Sequence, residues 1–155
     1  MRTSILPALN EPVKLDLQEH AKELYRRDKP LAMLVVVNLI LVVCMLVLLL
    51  FDSRLVMGSN PWIKPIKFAT SFALYAYTIA RLLEYVRLSN LGKQIISWTV
   101  SVSMLIQIIC ITTQAARGTT SHYNMSTSGN AAIAITMDIM DPINGAFGVF
   151  LFILP

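Results

Sequence analysis

Asp138 and Asp141 sit in an apolar stretch, residues 131–154, that carries no other charge. An unpaired aspartate in hydrocarbon costs at least ~2.5 kcal/mol on insertion scales, so each must be protonated, paired or set beside a water-filled cavity. The chemistry open to such a pair is to hold a proton or a cation, or to exchange protons with a bound group. Pro142 cannot donate to the carbonyl of Asp138 and tends to kink a helix, which bares backbone oxygen beside the carboxylates. Interrupted helices of this kind are where transporters bind ions and substrates. The competing reading is structural, with both aspartates tied to Thr, Gln or Arg on neighbouring helices.

Other polar side chains recur at helical spacing. Thr99, Ser103, Gln107, Cys110, Gln114 and Arg117 follow one another at intervals of three or four residues and share one helix face, which should look towards protein. Lys67, Ser71, Thr78 and Arg81 form a second line, with Thr70 beside it, and Ala131, Ala134, Asp138, Asp141, Gly145 and Gly148 a third. The expectation is that these faces meet around one interior, with Asp138, Asp141, Gln107, Gln114 and Asn38 as its ion- or solute-binding residues. Within it Asp138 is expected to be ionised and paired with a cation such as Arg117, and Asp141 to be the protonatable partner.

Two loop segments carry the remaining candidates. Asn60-Pro61-Trp62-Ile63-Lys64-Pro65-Ile66-Lys67-Phe68 places two prolines, a tryptophan and two lysines at a helix start, suited to an anchored entrance or to an anion on unused backbone donors. Gln114-Ala115-Ala116-Arg117-Gly118-Thr119-Thr120-Ser121-His122-Tyr123-Asn124 packs Arg, His, Tyr and Asn at a membrane boundary, with Gly118 as a helix cap. Lys64, Lys67, Arg117, Ser121, His122 and Asn124 are thus the candidate outer entrance.

The elements that must position these residues follow from composition. The chain is 55% hydrophobic and only 14% charged, against roughly 25% charged in soluble domains, and its mean hydropathy is +0.63. An ordinary soluble globule is excluded. The net charge of +4 is explained by basic residues beside apolar runs and does not point to nucleic acid. Cys44 and Cys110 lie inside apolar runs, unlike structural disulfide partners. The uncharged run 31–51 exceeds the ~20 residues needed to cross a bilayer, and further apolar stretches lie at 66–83, 95–115 and 131–154. The expected fold is therefore all-α, a four-helix transmembrane domain over residues 30–155. An amphipathic, interfacial cytoplasmic arm precedes it over residues 1–29, with a helix-start signal at Asn10-Glu11-Pro12. Nine basic residues fall in the N-terminal arm and second loop region against four in the first and third loops, which places both termini in the cytoplasm.

The strings Trp62-Ile63-Lys64-Pro65-Ile66-Lys67-Phe68 and Gln114-Ala115-Ala116-Arg117-Gly118-Thr119-Thr120-Ser121-His122-Tyr123-Asn124 resemble two signatures of an uncharacterised family of bacterial multi-pass membrane proteins. The resemblance covers residues 60–130 and implies a bacterial cytoplasmic (inner) membrane; it supplies no activity. Its members are longer and continue with further helices, and the expectation here is a continuation or a partner at the C-terminal end.

Only two histidines occur, His20 and His122, and no zinc or haem ligand set, P-loop, GxGxxG or GxSxG string is present. No cofactor or metal is expected. The leading expectation is binding, extending to translocation, of a proton, cation or small anionic solute. One alternative is an accessory or assembly subunit of a larger membrane complex. Another is an enzyme acting on lipid headgroups, with His122 and an aspartate as acid and base. Expected partners are the bilayer, an anionic lipid or small solute, and a second copy or another membrane subunit. Cysteines introduced at Ser4 and Ser126 should label from opposite sides of intact cells, Ser126 with an impermeant reagent; labelling of Ser4 alone would reverse the orientation.

Overall fold

The computed structural model describes residues 17–120 and 123–153. The expected helix start at Asn10–Pro12 and the candidates Ser121 and His122 lie outside the described residues. Five helices follow in order: α1 (Leu17–Arg27), α2 (Lys29–Phe51), α3 (Ile63–Tyr85), α4 (Asn90–Ala116) and α5 (Ser128–Ile153).

Local chemistry sets the boundaries. Asp28 caps α2, its carboxylate accepting from Leu31 N at 3.1 Å, and Pro30 occupies the first turn, where no amide partner is lost. Ser89 caps α4 by accepting from Gly92 N at 3.2 Å. At the other end of α4, Gly118 takes φ +66°, and its amide and that of Thr119 return to the carbonyls of Ala115 and Gln114, both at 3.0 Å. That pairing is the Schellman closure that a glycine in the left-handed region permits.

Among the described residues three helices, not the expected four, are long and apolar enough to cross a membrane: α2, α4 and α5. The exception is α3. Its 23 residues would span ~35 Å, but Lys64, Lys67, Arg81 and Glu84 confine its uncharged stretch to residues 68–80. At ~1.5 Å per residue that is ~20 Å, short of a hydrocarbon core of ~30 Å. The apolar side chains of α2 outside its buried seam face outward; Met33, Val36, Ile40, Val43, Val47 and Leu50 are all exposed. On α4, Leu91, Ile95, Trp98, Val102, Leu105 and Ile109 form an exposed stripe. Patches this large are foreign to a soluble monomer and ordinary for a surface in lipid.

The core lies between α2, α3 and α4. From α3 come Ala69, Ala73, Ala76 and Ala80, with Phe72, Ile79 and Leu83 between them; small residues let helix backbones approach closely. Leu31, Leu34 and Met45 of α2 and Val100, Met104 and Ile108 of α4 complete it. The expected polar line of α3 stands outside this core. Lys67, Thr70, Ser71 and Thr78 are exposed, and the two threonines bond the carbonyls of Ile66 and Leu74 on their own helix, both at 2.8 Å.

The α2–α3 loop forms a clasp. Met57 and Gly58 both take positive φ in a tight turn closed by paired bonds between Val56 and Ser59. Asp52 accepts from Arg54 Nη2 at 2.6 Å and from Trp62 Nε1 at 2.8 Å, while Arg54 Nη1 donates to the carbonyl of Ala116 at 3.1 Å. The clasp thus ties the end of α2 to the start of α3 and the end of α4. Trp62 is buried within it, not exposed as an interfacial anchor. Arg54 holds the Asp52 carboxyl well below the usual carboxylate range, with the Trp62 indole adding to the effect. A carboxylate depressed on folding contributes stability above its unfolded value, ~4, and loses it as pH falls through the folded one. The melting temperature in detergent should therefore fall as pH drops below about 4, and Asp52→Asn should lower the neutral-pH value and flatten that acid limb.

Candidate functional site

The packing face of α5 is a seven-residue seam. Asn130, Ala134, Met137, Asn144 and Leu151 are buried; the intervening positions are taken by Asp141, which is exposed at the edge of the seam, and by the half-buried Gly148. On α4 the matching seam is Ser97, Val100, Met104, Gln107, Ile111 and Gln114, all buried. Alternating steps of three and four residues keep one face of each helix towards its neighbour. Two polar clusters sit on this α4–α5 seam.

The deeper cluster is a directed chain. Ser103 Oγ donates to Asn144 Oδ1 at 2.6 Å. Asn144 Nδ2 approaches Gln107 Oε1 at 3.4 Å, and Gln107 Nε2 donates to Asp141 Oδ1 at 2.5 Å. Every donor in it points towards Asp141, so the dipoles add and favour negative charge there. Gln107 lies nine residues before the end of α4, ~14 Å down by helix rise. Asp141 is also the acidic group whose field reaches the Lys64 ammonium, which lies 5.9 Å from the centre of the Phe68 ring.

α5 runs unbroken from Ser128 to Ile153 but carries Pro142 beside this chain. Pro142 removes the donor to the Asp138 carbonyl. Two residues further on, the Tyr75 hydroxyl donates to the carbonyl of Asn144 at 2.5 Å and accepts from the amide of Gly148. These are the two groups that pair across one turn of an α-helix, so the phenol sits against the helix ladder itself. Gly148 is needed for this approach, because a Cβ there would stand 3.0 Å from the Tyr75 oxygen.

The shallower cluster joins candidates from the third loop. Arg117 Nη1 donates to Gln114 Oε1 at 3.3 Å, and Thr119 Oγ1 donates to the same oxygen at 2.8 Å. Gln114 Nε2 donates to Asn130 Oδ1 at 3.1 Å, and Asn130 Nδ2 to Ser126 Oγ at 2.9 Å. Ser126 Oγ then donates to Asn124 Oδ1 at 2.7 Å. Between the two clusters along the seam lie Ile111, Ala134 and Met137, none more than 1% exposed, an apolar layer with no polar side chain to carry a hydrogen-bonded path across.

The candidates are therefore divided. Gln107 and Asp141 meet; Gln114, Arg117 and Asn124 join one network; Lys64 is coupled to Asp141 through its field. Lys67 is exposed and belongs to neither. Asp138 lies one residue off the seam and is exposed; among the described residues it makes no ion pair, and Arg117 turns to Gln114 instead. Asn38 is fully buried, but Nδ2 donates to the carbonyl of Leu34 on its own helix at 2.9 Å, and Oδ1 has no partner. It joins neither cluster. Sequence reasoning missed Asn130, Asn144 and Tyr75. Asn130, Met137 and Asn144 recur every seven residues, and that spacing was the signal for both asparagines; nothing local marked the tyrosine.

Asn144→Leu strands Ser103 and Gln107 and should lower the unfolding free energy by about 1–3 kcal/mol. Asn38→Leu, which removes a buried atom without a partner, should leave it unchanged or raise it. Equilibrium unfolding in detergent measures both, and equal losses would contradict the assignment.

No protein-family model, curated protein or solved structure matches the chain.

Proposed function

We propose that this is a multi-pass membrane protein that binds, and passes through its polar interior, a proton or a small cation, with Asp141 as the charge-bearing group. The hydrogen bond from Gln107 to Asp141 carries this reading. Gln107 is itself oriented by Asn144 and Ser103, so one side of the exposed Asp141 carboxylate meets a fixed, buried donor. The carbonyl of Asp138, bared by Pro142, adds an oxygen of the hard type that cations take. The apolar layer of Ile111, Ala134 and Met137 separates this centre from the Gln114–Arg117 cluster, as a gate between an entrance and a binding site must.

In this reading α3 completes a fourth span, with Lys67 and Arg81 extending their charged ends to the two interfaces. Both termini lie in the cytoplasm of a bacterial cell, following the basic asymmetry and the resemblance of the two loop strings. The Arg117 cluster then faces outward. A second reading, a subunit that docks on a larger membrane complex through α5, is favoured by Asp138 and Asp141, both of them exposed. An exposed carboxylate on a lipid-crossing helix calls for a covering partner.

Proteoliposomes should lose proton-linked or cation-linked uptake with Asp141→Asn and keep it with Asp138→Asn, while both variants stay folded. Uptake retained by Asp141→Asn, or lost equally with Asp138→Asn, would overturn the assignment.

A further inference from the structure

At the opposite end of the bundle, a cavity of about 880 Å³ opens where α1 meets α2 and where α4 begins. Its lining includes Arg26, Lys29, Lys93 and Trp98. The acids in the same wall are already engaged. Glu84 pairs with Arg27 and Arg81, and Asp28 caps α2 and accepts from Ser97. Arg26, Lys29 and Lys93 make no ion pair among the described residues.

The placement of these cations is electrostatically unfavourable on its own. Lys29 is the first residue of α2, whose end the Asp28 carboxylate already caps, and Lys93 is the fourth of α4, which has no acid in its first turn. The partial positive charge of a helix N-terminus disfavours a cation there by the same interaction that favours an anion. Three cations and the N-terminus of α4 converge on one concave space, and an anion entering it would relieve the repulsion.

We propose that this cavity binds a phosphate group, and that the phosphate is the headgroup of an anionic glycerophospholipid. The source follows from the surroundings. Trp98, 60% exposed, stands at the cavity, and Leu91 and Ile95 lie on the same exposed face of α4, so an acyl chain has an apolar track leading directly away from the phosphate. Basic pockets between membrane helices take lipid headgroups in this way. The site depends on α2 and α4 crossing a bilayer and is independent of any role for Asp141.

Native mass spectrometry of the delipidated protein in detergent, titrated with phosphatidylglycerol or phosphatidylcholine, tests it. Phosphatidylglycerol should bind in strong preference. The triple variant Arg26→Gln, Lys29→Gln, Lys93→Gln should bind it about 100-fold more weakly, at about fivefold per cation, while the charge-keeping Arg26→Lys, Lys29→Arg, Lys93→Arg retains it. Should the neutral variant fail to fold, the preference of the native protein should disappear with rising salt. Equal affinity for the two lipids, or a salt-insensitive preference, would overturn the proposal. Inorganic phosphate displacing phosphatidylglycerol at equal concentration would assign the site to a soluble phosphate and overturn the lipid source.

Discussion

The hydrogen bond between Gln107 and Asp141 sets how α4 and α5 lie against each other. In lipid, apolar side chains gain little by leaving the hydrocarbon for a neighbouring helix, so packing and polar contacts fix the register of one helix on the next. A slip of one turn, ~5.4 Å, would separate Gln107 from Asp141 and Asn144, and Ser103 from Asn144. Each buried group left without a partner would cost about 1–3 kcal/mol. The same constraint explains why the seam carries Gln107, Gln114, Asn130 and Asn144 while the outward stripe of α4 carries Leu91, Ile95, Val102 and Ile109.

The remaining helices are held by different physics. α2 and α3 pack on small residues, the alanines at 69, 73, 76 and 80, and their shared loop is pinned by Asp52 and Arg54 to the end of α4. α3 then reaches α5 through one phenol, Tyr75, inserted beside Gly148. That hydroxyl bonds a carbonyl three residues past Asp141 and two past Pro142, so α3 contacts α5 beside the polar cluster that α5 shares with α4.

The two ends of the bundle are also chemically unlike. One is closed by the clasp of Asp52, Arg54 and Trp62 and by the hydrogen-bonded cluster of Arg117, Gln114 and Asn130. The other leaves Arg26, Lys29 and Lys93 around an open cavity. A bilayer supplies phosphate at its boundaries, so a surplus of cation at one end is tolerable there in a way that a surplus of charge within the span is not.

Helix existence and membrane character were legible from the chain alone, because uncharged runs long enough to cross hydrocarbon have no other economical fate and because Asp28, Ser89 and Gly118 act on their own backbone neighbours. The burial of Ser103, Gln107 and Gln114 was legible too, since periodicity on one helix is a local property. What periodicity left undecided was which face of α5 is the packing face. Asp138 and Asp141 both fit a plausible stripe and both are exposed, and only the hydrogen bond from Gln107 on α4 sets Asp141 apart from the aspartate three residues earlier. Asn38 is a similar case: its position in an apolar run gave no means of telling a shared interior from a bond to its own helix. The partners of Asp52, of Asn144 and of Arg54 lie 10, 69 and 62 residues away. Such pairings are decided by how helices cross, and side-chain spacing along one helix contains no term for that.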